Sequence, residues 1–157
     1  MASIEESLKL SGIVLPDVAP PAGLYQPAIR IGEFVYTSGQ LPLIEGRLVE
    51  PSGRGSVRAE CQDGAASAAR IAAINAVAAL RSAVGSLDEI VRIVKLTVYV
   101  SSESGFTNQH IVANGASELI GQIFGDSGRH VRSAVGVAAL PLDASVEVEL
   151  VAACRPH

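Results

Sequence analysis

Two kinds of apolar pattern divide the chain. Residues 58–83 combine eleven alanines with Ile71, Ile74 and Ala78 on a repeating stripe that stops at Gly85, which predicts a long helix lying on a sheet. Between 105 and 124, Val112, Ala116, Leu119, Ile120 and Ile123 recur at helical spacing, predicting a second amphipathic helix closed by Gly125. A shorter helix is predicted over 3–11, where Ser3 and Glu6 have capping-box spacing and Ile4 and Leu8 share a face. Elsewhere the period falls to two. Residues 28–31 and 34–38 flank Gly32-Glu33, a two-residue hairpin with glycine first in a type II′ turn, and Gly39 ends the second strand. Residues 90–100 set Ile90, Arg92, Val94, Leu96 and Val98 on one face, apolar except for Arg92. The segments 130–137 and 145–150 are strand-like too. Pro16, Pro20, Pro21 and Pro27 make 16–27 an extended or turning lead-in, and 44–56 reads as a loop with a short strand at 47–49. The order ββ, helix, β, helix, ββ predicts an α+β sandwich with both helices on one face of a mixed sheet.

At 157 residues the chain suits one domain over 1–157, with 1–24 as an N-terminal extension. A hydrophobic content of 48% excludes a disordered chain and points to surface buried between subunits, so a homo-oligomer is expected. The net charge of −4, with Lys9 and Lys95 as the only lysines, leaves no cationic stripe for a nucleic acid, and three Tyr, three Phe and no Trp make a poor stacking platform. Cys61 and Cys154 lack zinc-ligand or disulfide-framework spacing. Glu5 and Glu6 stand where a signal peptide needs positive charge, and no apolar run reaches membrane-spanning length, so the cytoplasm is the expected location.

The chemistry concentrates in the last two strands. Arg132 sits among Ala, Ser, Gly and Val, sharing a face with His130, Ala134 and Gly136, while Glu147 and Glu149 point away from Val146, Val148 and Leu150. An unpaired ion in apolar surroundings costs several kcal/mol, so Arg132 is ion-paired, at an edge, or held for an anionic ligand. The same pattern fits a surface arginine and two solvated glutamates. As a ligand site, the guanidinium fork matches a carboxylate, small neighbours leave room for a small acid, and Glu147 can orient a water or shuttle a proton. If residues 140–143 join the strands as a hairpin, Arg132 stands roughly 13 Å along the sheet from Glu147. No GxSxG, P-loop or GxGxxG is present, and His110, His130 and His157 have no metal-ligand spacing, so neither cofactor nor metal is expected.

Four segments, Tyr36-Thr37-Ser38-Gly39-Gln40-Leu41-Pro42, Val94 to Val100, Arg132-Ser133-Ala134-Val135 and Val146 to Glu149, in this order and spacing, resemble the RidA/YjgF family, also called L-PSP endoribonucleases. The resemblance runs from about Tyr25 to Ala153. It implies a chorismate-mutase-like α+β fold, a homotrimer with clefts between subunits, and hydrolysis of 2-aminoacrylate-type enamines or imines to 2-oxo acids and ammonia, as in 2-iminobutanoate/2-iminopropanoate deaminases. It further implies that Arg132 holds the substrate carboxylate, that Glu147 positions water, that Tyr25 closes the cleft, and that Ser38 and Gly39 line it. Two positions depart from the deaminating members: Ala134 stands where they have cysteine, and His110 is matched to their helix asparagine. These departures and the N-terminal extension resemble a longer branch of the family. The alternatives are a non-catalytic module that binds small carboxylates such as 2-oxo acids, and, third, a ribonuclease.

Overall fold

The computed structural model describes residues 2–18, 20, 21 and 23–157. Helix α1 (Ile4–Leu10) starts on the expected capping box: the Ser3 hydroxyl accepts from the Glu6 amide at 3.1 Å and the Glu6 carboxylate accepts from the Ser3 amide at 3.0 Å. Of the lead-in over 16–27, residues 19 and 22 lie outside the described residues, and the remainder carries neither helix nor strand. Strands β1 (Ala28–Ile31) and β2 (Phe34–Thr37) then pair from Ala28↔Thr37 to Ile31↔Phe34, and Gly32 takes the left-handed φ of +60° that this tight turn needs. The strand expected at 47–49 has a partner: β3 (Leu43–Ile44) and β4 (Arg47–Leu48) form a ribbon of their own.

Helix α2 (Gln62–Val84), strand β5 (Ile90–Ser101) and helix α3 (Gln109–Phe124) follow. The second long helix begins four residues later than its periodicity suggests, because Gly105 has φ +86° and the chain enters the helix only beyond it. Strands β6 (Val131–Val137) and β7 (Val146–Cys154) complete a five-stranded sheet in the order β1-β2-β7-β5-β6.

This order corrects one expectation. The last two strands do not form a hairpin. α3 acts as a crossover that lays β6 parallel to β5, and β7 runs antiparallel along the opposite edge of β5. β5, the longest strand, lies inside the sheet with both edges paired, leaving β6 as an edge strand. A second correction lies within β5. Its register shifts between Ile90 and Arg92 and between Ile93 and Lys95, so Ile93 joins Leu96 and Val98 in the core and Arg92 is exposed.

The core lies between the helices and one face of the sheet. Val35, Ile93, Leu96, Val98, Val148 and Leu150 from the strands meet the alanine face of α2 and Leu119, Ile120 and Ile123 of α3. The helices approach very closely: a Cβ on Gly115 of α3 would run into the main chain of Ala66 in α2. Among the described residues no helix layer covers the other face of the sheet. There Ile29, Ile31, Phe34, Tyr36, Val131 and Val135 are all more than 40% exposed.

Candidate functional site

Cross-strand register fixes which way each candidate points. Arg132 pairs with Leu96 and Ala134 with Val98, both of which face the helices, so Arg132 emerges at the sheet edge beneath α3. There it meets one stripe of that helix. His110, Asn114 and Ser117 stand at i, i+4 and i+7, and all three receive the guanidinium: Nη1 donates to Asn114 Oδ1 at 2.9 Å and to Ser117 Oγ at 3.1 Å, and Nη2 donates to the His110 carbonyl at 3.3 Å. Every one of these acceptors is neutral. Among the described residues Arg132 forms no salt bridge, so its positive charge is oriented but not neutralised.

Ser117 extends the network. Its Oγ lies 3.0 Å from Nε2 of His130, whose Nδ1 lies 2.6 Å from the Gly128 carbonyl. A carbonyl only accepts, so Nδ1 carries a proton, and in the neutral imidazole Nε2 is left to accept from the serine hydroxyl. Ser117 can then give its proton to His130 and its lone pair to Arg132.

Sequence reasoning missed Asn114 and Ser117. It matched His110 to the family's helix asparagine, but the His110 side chain is exposed and only its carbonyl reaches Arg132. An asparagine does stand at the guanidinium, one turn further on at 114. The spacing 110, 114, 117 was visible in the sequence. What could not be seen was that β6 runs beneath that stripe. Ala134 is partly buried against the core two residues after Arg132.

The remaining candidates gather on the opposite face. Glu147 pairs with Tyr99, and Glu149 with Thr97, all pointing away from the helices. Gln40 bridges to Val148 through two main-chain hydrogen bonds of 2.7 and 2.9 Å, which lays Gly39 against the Glu147 side chain. A Cβ on Gly39 would collide with that carboxylate, so any larger residue here would push the Glu147 side chain out of its place. Ser38 is used structurally: its hydroxyl donates to the Gln26 carbonyl and its amide to the Pro27 carbonyl, fastening the lead-in to the end of β2. Tyr25, at the end of that lead-in, lines the same cavity as Gly39. The Tyr99 hydroxyl donates to Glu149 at 2.8 Å. Burial, and secondarily the charge of Glu149, push the Glu147 carboxyl above the usual carboxylate range.

Arg132 and Glu147 therefore do not meet within one chain. They lie two strands and three residue steps apart, roughly 14 Å between Cα positions, and on opposite faces of the sheet. Among the described residues no group of three His, Cys, Asp or Glu side chains is placed to hold a metal, and no helix is long and apolar enough to cross a membrane.

Residues 5–154 match the family described as "YjgF/chorismate mutase-like, putative endoribonuclease". The chain belongs to this family. Protein TCP17 of Trypanosoma cruzi is 42% identical over 149 residues, covering 93% of this chain and 91% of that protein. The crystal structure of Atu1372 from Agrobacterium tumefaciens, a protein of unknown function, is 41% identical with a TM-score of 0.85 over 97% of this chain and 92% of its own. Escherichia coli TdcF, solved with bound serine, is 30% identical with a TM-score of 0.57, over 88% and 94% of the two chains. The YjgF relationship also carries the fold: the α+β arrangement of mixed sheet and helix layer is the chorismate-mutase-like one.

Proposed function

We propose that the chain hydrolyses small 2-imino or 2-enamino acids to 2-oxo acids and ammonia, in the cytoplasm, at clefts completed between copies of itself in a homotrimer. The observation that carries this reading is the oriented, uncompensated guanidinium of Arg132 on an edge strand. Such a group favours a carboxylate ligand. The bound serine of TdcF, a small amino acid, agrees with a ligand of that kind.

The second requirement is an acid-base group, and Glu147 suits it. A carboxyl raised by burial can hold a proton nearer neutrality and take one from water. In the reaction, water adds to the carbon of the protonated imine as Glu147 removes a proton from that water, giving a neutral carbinolamine. Glu147 returns that proton to the carbinolamine nitrogen, and the C–N bond then breaks as the hydroxyl gives its proton back to the Glu147 carboxylate, releasing ammonia and the 2-oxo acid. An enamine first gains a proton at its terminal carbon to become the imine. No step calls on a cofactor.

The opposite placement of Arg132 and Glu147 supports a composite site, with the cation from one copy and the acid from its neighbour. The uncovered apolar face of the sheet supports association. The decisive experiment generates 2-iminopropanoate in situ and follows imine loss with wild type, Arg132→Ala and Glu147→Gln. Each variant alone is expected to lose more than ~90% of activity, the consequence of removing a charge-assisted contact worth about 1.5–3 kcal/mol. Co-refolding the two inactive variants at equal ratio should restore about a quarter of wild-type activity, since a quarter of the interfaces then pair an intact arginine with an intact glutamate. Imine decay that wild type does not accelerate would reject catalysis and leave the non-catalytic carboxylate-binding reading. Cleavage of RNA by wild type would support the ribonuclease reading instead.

A further inference from the structure

Beside Gly39 the described residues of the lead-in line a cavity of about 690 Å³. Its walls are Pro16, Val18, Pro20 and Pro21 on one side, with Leu43 and Ala78 among the residues opposite. Three features constrain its occupant. Its size is within the range of pockets that hold drug-sized ligands, far more than a three- or four-carbon acid fills. Its charged lining is acidic, Asp17 and Glu45, with no Arg, Lys or His among the described lining residues, so a carboxylate is disfavoured inside it. Parts of its lining are constrained in advance: Pro16, Pro20 and Pro21 have their φ fixed by the ring in the strap, and Asn75 donates from Nδ2 to the carbonyls of Leu41 and Leu43 at 2.9 and 3.0 Å, holding another wall. Gly39 joins this cavity to the acid, since it lines the one and lies directly against the Glu147 carboxylate.

We propose that this cavity receives the side chain of the substrate, and that the substrate is the imine or enamine of a 2-amino acid with a large apolar side chain, of leucine or phenylalanine size. This rests on the deaminase reading. The carboxylate faces out toward a neighbour's Arg132, the reacting carbon lies at Glu147, and the apolar group enters under the strap. A methyl side chain would leave most of the apolar wall without ligand contact. Each added methylene buried in such a pocket is worth roughly 10-fold or more in selectivity.

The test generates imines from alanine, leucine and phenylalanine with an amino-acid oxidase and measures kcat/KM on the full-length chain. The leucine or phenylalanine imine should exceed the alanine imine by at least ~10-fold. Val18→Trp, which fills the cavity from the strap, should reverse that ratio, and Val18→Ala, which cannot disturb folding by crowding, should shift it further toward phenylalanine. Alanine-derived imine as the best substrate, or ratios that both variants leave unchanged, would overturn the proposal. If no imine is turned over, the deaminase reading fails separately, and the cavity is read by thermal shift: 3-phenylpyruvate must stabilise the protein more than pyruvate does, and equal shifts overturn it.

Discussion

The Arg132 edge and the Glu147 face treat charge in opposite ways. Around Arg132 the described residues supply three acceptors and no acid, so the cation is positioned by neutral groups. Around Glu147 the chain places a second carboxylate and a tyrosine hydroxyl, and among the described residues no arginine or lysine is paired with either acid. The usual economy of a fold would bring such groups together as an ion pair. Here β5 and the thickness of the sheet stand between them. Each charge is thereby kept available to something outside the chain, and a single protomer holds two half-sites in place of one quenched site.

Supplying the missing acid beside Arg132 would remove the contrast between the two half-sites most directly. Asn114→Asp places a carboxylate where Oδ1 already lies 2.9 Å from Arg132 Nη1. An intramolecular ion pair should then compete with the substrate carboxylate, and kcat/KM should fall at least ~10-fold with the fold intact, as expected for a charge-assisted contact. Circular dichroism establishes the fold and imine decay the loss. Full activity in Asn114→Asp would mean that Arg132 does not need to be uncompensated.

How much of this was legible beforehand depended on the distance between cause and effect. The caps, the hairpin at Gly32 and the helix stops at Gly85 and Gly125 are local, and the sequence reading and the structure agree on them. The pairing of β6 and β7 is not local. Alternation tells which residues share a face of one strand but not which strand lies beside it, so an assumed hairpin put Arg132 and Glu147 in adjacent strands. The helix stripe of 110, 114 and 117 had the same difficulty: its period was readable, its partner was not. Within β5, the register shifts that exchange Arg92 for Ile93 leave no mark in composition at all.

A smaller effect sharpens the arginine side. Among the described residues Ser117 is the one side chain hydrogen-bonded to both Arg132 and His130. Ser117→Ala removes a neutral acceptor from a guanidinium that keeps two others, so the charge stays and only its aim loosens. A net hydrogen bond of about 0.5–1.5 kcal/mol predicts a KM raised roughly 2- to 10-fold with little change in kcat. A fall in kcat with constant KM would show instead that Ser117 acts on the reacting centre.

The acid side yields the smallest effect, and its sign follows from linkage. The folded chain holds the Glu147 carboxyl above its ordinary range, chiefly through burial, so between the ordinary and the raised value the folded state binds more protons than the unfolded one. Stability contributed by this group is therefore lost as pH rises through that window and stays lost above it. Glu147→Gln carries no such burden and should melt at a higher temperature than wild type at pH 7, with the gap closing as the pH falls below the ordinary carboxylate range. A neighbour's Arg132 would relieve part of the burden by attraction. The gain from Glu147→Gln should then be larger in an Arg132→Ala background than in wild type, a coupling between residues that one chain keeps apart. Additive melting shifts would mean that the two charges do not face each other across an interface, and the composite site would have to be abandoned even if each residue alone proved essential.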